Sequence, residues 1–259
     1  MRFIRGVLMS LLLGSVPAPV FAHYHMLLPD KPAAKTDEPV TFTYQFGHPF
    51  EHQLFDTMKP TELYVIAPDG AKTDLTATLE KTTADGTDGK KVAGYKFTFT
   101  PAKRGDYTLV AVSPEVKVDG EPHPLRDVIK TVLHVQTQNG WDRRVVTGKA
   151  SAVELSPLTR PYGLTGGMAF QVEAEEPADG DRKPLGRIAI EVEKYNPVPP
   201  KDLPDDEFIT RTARTTRSGD ATVTLGERGW WAVTAVRDRD QVRHRCTLWI
   251  HVDDKPHSK

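Results

Sequence analysis

Apolar and polar residues alternate along this chain in short bursts. Phe42, Tyr44 and Phe46 are separated by Thr43 and Gln45, Tyr95, Phe97 and Phe99 by Lys96 and Thr98, and Ile188, Ile190 and Val192 by Ala189 and Glu191. A period of two sends one set of side chains to a buried face and the other to water, which is the pattern of a half-buried strand. The same reading predicts strands over 63–67, 107–112, 131–136, 168–174, 221–225, 231–236 and 247–252. Between them lie turn signals: Pro68-Asp69-Gly70, Asp85-Gly86, Asp88-Gly89, Asp119-Gly120, Asn139-Gly140, Asp179-Gly180 and Ser218-Gly219. No long stretch holds a helical period. The expectation is an all-β protein of two immunoglobulin-like β-sandwich domains in tandem.

An internal echo supports two halves. Arg104-Gly105-Asp106-Tyr107 and Arg228-Gly229-Trp230-Trp231 each open an apolar run late in their half. The first sandwich is expected over 23–138, a linker over 139–156, the second sandwich over 157–253 and a polar tail over 254–259. The proline-rich stretch 196–206 reads as a long loop in the second sandwich, because Pro199-Pro200 has no place in a central strand.

Residues 1–22 read as a cleaved secretory signal. Arg2 and Arg5 precede an apolar stretch, and Val20-Phe21-Ala22 fits the small-residue cleavage pattern. The expected product is a periplasmic protein that begins at His23 and does not span the membrane. Removing Arg2 and Arg5 leaves 32 basic against 35 acidic residues, a net charge of −3. Nucleic acid requires a basic face, so this balance argues against it as a partner. Cys246 is the only cysteine, so no internal disulfide is possible, and its parity with Leu248 and Ile250 places it on an apolar strand face.

Cleavage after Ala22 would free the α-amine of His23, with His25 two residues on. Two metal geometries compete. In one, the amine, two deprotonated backbone amides and His25 wrap Cu(II) or Ni(II) in a square plane. In the other, the amine and ring of His23 chelate the ion, and a distant histidine completes a T-shape. A second cluster, His48-Pro49-Phe50-Glu51-His52, closes the strand at 41–46. Its imidazoles and carboxylate suit Zn(II), Ni(II), Co(II) or Cu(II). It also matches H-x-x-E-H, the inverted zinc-protease motif, which needs a helix that Pro49 disfavours. The alternative is a surface turn with solvated histidines. His134 reads as a packed strand histidine and His251 as solvent-facing. Of Trp230-Trp231, one ring is expected to pack and the other to cover a sandwich end.

The run Pro157-Leu158-Thr159-Arg160-Pro161-Tyr162-Gly163-Leu164 resembles a signature of a bacterial exported family of formally unknown function, described as the periplasmic component of nickel/cobalt uptake systems. Glu191-Val192-Glu193-Lys194-Tyr195-Asn196, Arg228-Gly229-Trp230-Trp231 and Leu248-Trp249-Ile250 match it too, as do Ala22-His23 with Leu27-Leu28-Pro29, and His48-Pro49-Phe50-Glu51. The resemblance implies a non-enzymatic periplasmic protein of β-sandwich domains, linked to transition-metal uptake through an envelope metal transporter. It makes His23 and His48 metal ligands, with Glu51 a ligand or an orienting group; His25 and His52 are additions in this sequence.

The two lines meet in one expectation: His23 or His25 joins His48, Glu51 and His52 around one ion, Ni(II)/Co(II) or Cu(II), with Zn(II) fitting the same donors. The competing readings are a carbohydrate- or protein-binding adhesion module, a copper redox enzyme built on the His23 brace, and a zinc hydrolase using His48, Glu51 and His52.

Overall fold

The computed structural model describes residues 23–86, 89–145, 147, 150–177 and 183–254. The expected signal at 1–22, the turn at Asp179-Gly180 and residues 255–259 of the expected tail lie outside the described residues. In the first half the strands are β1 (Tyr24–Pro29), β2 (Ala33–Ala34), β3 (Val40–His48), β4 (Gln53–Phe55), β5 (Glu62–Ile66), β6 (Lys72–Asp74), β7 (Glu80–Asp85), β8 (Lys91–Phe99), β9 (Gly105–Val112) and β10 (Leu125–Val135). The second half follows with β11 (Glu154–Pro157), β12 (Leu164–Thr165), β13 (Ala169–Glu175), β14 (Ala189–Lys194), a one-turn helix α1 (Asp206–Ile209), β15 (Arg211–Arg214), β16 (Asp220–Thr224), β17 (Gly229–Arg239) and β18 (Val242–Asp253). All ten strands expected from alternation are present, several extended by a few residues.

The chain is all-β and folds as immunoglobulin-like sandwiches. One sheet runs β1-β3-β8-β7 with β4 on β3; a smaller one runs β11-β13-β16. Both pack on a long sheet ordered β15-β14-β17-β18-β10-β9-β5-β6, with β12 on β18 and β2 on β10. The two halves meet in the middle of that long sheet, where β10 and β18 pair in parallel from Leu125↔Arg243 to Thr131↔Trp249. One apolar cluster gathers Phe42, Tyr44, Leu109, Ile129 and Leu133 of the first half and takes in Trp249. The other gathers Phe170, Val192, Val233 and Leu248 of the second half and takes in Val110 and Val128.

The internal echo maps onto equivalent places. Gly105 opens β9 at φ 129° and Gly229 opens β17 at φ 128°, each strand lying one step outward from the central β10–β18 pair. A Cβ on Gly105 would also meet the Pro68 ring at 2.5 Å, so the position excludes a side chain on two counts.

β1 is an edge strand buried on both faces. Its outer edge is covered by side chains from the long sheet: Thr131 Oγ1 donates to Leu27 O at 2.6 Å and Trp249 Nε1 to His25 O at 3.2 Å. Unpaired edge carbonyls are thereby satisfied where water has no access. The start of β1 is thus fixed in place.

Candidate metal centre

β1 pairs antiparallel with β3, from Tyr24↔Gly47 to Pro29↔Phe42. Opposed residues on paired strands project to the same face. His25 therefore faces Phe46, and one step back His23 faces His48. Their ring centroids are 4.2 Å apart at 65°. Phe55 lies 5.4 Å from the His23 ring and 5.3 Å from the His48 ring, and Phe46 lies 5.7 Å from His23. The pair is walled by aromatic rings.

Gly47 makes this approach possible. A Cβ there would sit 2.0 Å from the backbone oxygen of Gln53, so only glycine lets β4 close on β3. His48 then lies opposite Gln53 in the ladder.

His48 is buried, and its pKa falls to about 4. Burial is the main cause, the nearby His23 adds to it, and a hydrogen bond with Gln53 opposes it. An imidazole whose pKa burial holds this low is neutral at pH 7, the form that binds a metal.

His25 shares this face of β1 but is committed elsewhere. Its Nδ1 lies 2.7 Å from Asp127 Oδ2, and both residues are buried. Asp127 is also gripped by Arg245, Nε to Oδ1 at 2.7 Å and Nη2 to Oδ2 at 2.6 Å, and that guanidinium holds its carboxyl well below the usual range. A terminal square plane would need Nδ1 of His25 and the amides of Tyr24 and His25. The structure instead holds that nitrogen on Asp127 and both residues in β1, because an ordered strand has replaced the flexible terminus such a chelate requires. His25 could reach an ion only through Nε2, with Asp127 as the group that fixes its tautomer.

Glu51 and His52 belong to the turn between β3 and β4 and face the second half. Segment 48–52 is a strand end and a hairpin turn, so the helix that H-x-x-E-H chemistry needs is replaced by a β-hairpin. The turn is docked on the end of β14: Asn196 N donates to Pro49 O at 3.0 Å, Asn196 Nδ2 to Phe50 O at 2.7 Å, and Phe50 N to Glu193 Oε1 at 3.2 Å. The His52 ring lies 5.8 Å from Tyr195. Burial lowers its pKa, against a hydrogen bond with the Asn196 backbone. Burial raises the Glu51 carboxyl, and the charge of Asp206 adds to this. Glu193 is pushed up to about 8, chiefly by burial and then by Glu51 and Glu191, against hydrogen bonds from Thr210 and Phe50.

Of the five expected ligands, then, His23 and His48 come together; His25 is on their face but turned to Asp127, and Glu51 and His52 point away. The surface-turn alternative does not describe His48, which is buried. Among the described residues no three His, Cys, Asp or Glu side chains converge to hold a metal. A third nitrogen would come from the backbone: the α-amine that cleavage after Ala22 would place on His23. A cleft of about 780 Å³ reaches His23 and is walled by Glu191, Arg214, Arg237 and Arg243.

Asp127, Arg245 and Glu193 carry the electrostatics here, and they went unread in the sequence. For Asp127 the available signal was a charged residue sharing parity with Leu125 and Ile129 on an apolar strand, whereas Arg245 lies opposite the Cys246, Leu248 and Ile250 face and carried no such signal. Elsewhere, Cys246 is fully buried with Leu248 and Ile250, as its parity implied. Trp231 is buried in the second core, while Trp230 packs on the first. His251, expected in solvent, is half-buried: the Trp230 ring packs 5.1 Å away, and Asp253 Oδ1 lies 3.4 Å from its Nδ1. His134 Nδ1 lies 2.7 Å from the buried Asp106, and its ring stacks at 4.1 Å on Tyr162 of the Leu-Thr-Arg-Pro-Tyr-Gly run. The Tyr162 hydroxyl donates to the other Asp106 oxygen at 2.9 Å. That run thus latches the second half onto the first.

Fold and site together define an all-β sandwich protein in which a half-buried histidine ahead of the first strand meets a buried one at the end of the third. The chain belongs to the DUF4198 family, a domain of unknown function, whose profile matches residues 20–239. No curated protein matches it. Among solved structures it is similar to the D0-D1 domain of Intimin, 15% identical, covering 89% of this chain and 100% of the other with a TM-score of 0.24. It is also similar to a DUF4785 family protein from Legionella pneumophila, 11% identical, covering 83% and 52% with a TM-score of 0.30. A third is Salmonella alpha-2-macroglobulin, 8% identical, covering 90% and 17% with a TM-score of 0.26. Likenesses of this size carry no argument about the chain, whose fold rests on its own strand pairing. Among the described residues no helix is long and apolar enough to cross a membrane.

Proposed function

We propose that the protein is an exported, periplasmic transition-metal-binding protein that buffers or delivers Ni(II), Co(II) or Cu(II) to an envelope transporter. The ion is cargo, held by the α-amine and ring of His23 and by the ring of His48. The observation that carries this reading is the 4.2 Å approach of the two imidazoles at the strand end where the expected cleavage would create an amine. Nitrogen donors of this kind suit Cu(II), Ni(II), Co(II) and Zn(II), with Cu(II) bound most strongly by the general order, so the metal carried in the cell follows supply as well as ligand type. The brace geometry is favoured over the square plane because His25 is already bonded to Asp127. Calorimetric titration of the chain beginning at His23 tests the reading. The expected result is one ion per chain, with binding lost in His48→Ala; binding unaffected by that change would remove His48 from the site.

A further inference from the structure

We infer that the outer face of the loop between β14 and β15, which carries the one-turn helix α1, is a protein-docking surface, and that its occupant is a basic, apolar segment of another polypeptide. Six large apolar side chains are well exposed among the described residues, and the three most exposed fall within eleven residues of this loop: Val198 at 67%, Leu203 at 56% and Phe208 at 66%. Single exposed apolar residues are ordinary, but a run of them on one loop marks a contact surface.

The loop presents these side chains on a braced frame. At its start Asn196 makes two hydrogen bonds to the β3–β4 turn, at 3.0 and 2.7 Å. At its end Ile209 is buried and Thr210 Oγ1 donates to Glu193 Oε2 at 2.5 Å. Between these pins Pro197, Pro199, Pro200 and Pro204 each fix a backbone angle. A segment ordered in advance loses little entropy when a partner lands on it. Beside it runs a groove of about 560 Å³, with Val198, Leu203 and three prolines on one wall and Glu51 and Asp85 on the other.

Charge selects the occupant. Asp202, Asp205, Asp206 and Glu207 are exposed on the same stretch, where Lys201 is the one basic residue between 198 and 208. The charge of Asp206 reaches Glu51 in the groove wall. Phosphate backbones and anionic lipid headgroups are repelled by such a face. A two-fold contact with a second copy would set these acids against themselves. A segment with Lys or Arg beside Leu or Phe meets both the acids and the apolar side chains. The surface lies at the far end of the turn that begins after His48, and it stands independently of any metal at His23.

Fluorescence polarisation with a synthetic Lys/Leu peptide as probe tests this on the full chain beginning at His23. The Lys/Leu peptide should bind, and its Glu/Leu and Lys/Ser counterparts should not. Leu203→Asp with Phe208→Asp should weaken binding at least ~tenfold, and Asp205→Asn with Asp206→Asn several-fold, with added salt abolishing the second difference. Thermal unfolding of both variants should match the parent, since every altered residue is exposed. Failure of the Lys/Leu peptide to bind, equal binding of the Lys/Ser peptide, or affinity unchanged in both variants would overturn the proposal. So would concentration-dependent dimerisation abolished by Phe208→Asp, which would assign the surface to a second copy.

Discussion

Histidines are treated in two different ways in the first half of this molecule. His25 and His134 each lie 2.7 Å from a buried carboxyl, Asp127 and Asp106 respectively. Those carboxyls are held in turn, Asp127 by Arg245 and Asp106 by Tyr162 and the amide of Asn139. His23 and His48 instead face each other among aromatic rings, with Gln53 as the polar partner of His48. The first arrangement fixes an imidazole as part of the fold. The second brings two imidazoles together, with protonation of His48 disfavoured by burial, which suits them to share a metal cation. The carboxyl-bound histidines should therefore report on stability, and the facing pair on metal.

The largest effect separating the two classes is expected at Asp127. Asp127→Ala leaves the buried Arg245 without its counter-charge, and denaturant unfolding should show a loss of about 3–5 kcal/mol. A variant as stable as the parent would mean that the His25 assembly is not a structural unit. Acid should act through the facing pair. The unfolded chain takes up a proton on His48 near the ordinary histidine value of 6.5, whereas the folded chain resists until about 4. Between those values the unfolded state binds more protons, so stability falls as pH falls through that window, by up to roughly 3 kcal/mol, and is fully present above it. Unfolding measured from pH 7 to 4 should show this slope in the parent and a flatter one in His48→Asn; equal slopes would place the titration elsewhere. The smallest effect is expected at Tyr162→Phe, which removes one hydrogen bond from Asp106 and should cost about 1.5 kcal/mol while leaving metal affinity unchanged. A change in metal affinity there would erase the distinction between latch and site.

Much of the fold was legible because its strands are half-buried. β3 and β8 alternate since one face meets the core and the other water. For β1 the sequence points to a strand at the terminus but not to its bounds, because it is buried on both faces, so its residues carry no period and run on from the signal. β7, Glu80–Asp85, escaped for the opposite reason: it is a polar, exposed edge. The single sheet joining the halves rests on the parallel β10–β18 pairing, between segments more than a hundred residues apart, and local pattern does not encode such a contact. The site divides the same way. The two histidine clusters were visible as motifs, and the idea that terminus and loop meet follows from a strand ending at each. Which ligands meet is decided by the β1–β3 register, which sets His23 against His48, and by the docking of the β3–β4 turn on Asn196, which carries His52 to Tyr195.

The central claim is that one ion is held jointly by the amine of residue 23 and the ring of residue 48. The direct measurement is metal titration of the chain beginning at His23, its terminus confirmed by mass spectrometry, beside His48→Ala and a form with one residue added ahead of His23. The account predicts 1:1 binding of Cu(II) or Ni(II), weakened at least ~100-fold by either change, as expected when one of three ligands is lost. Binding lost with the added residue but untouched by His48→Ala would contradict it, leaving a terminal chelate with no part for the fold.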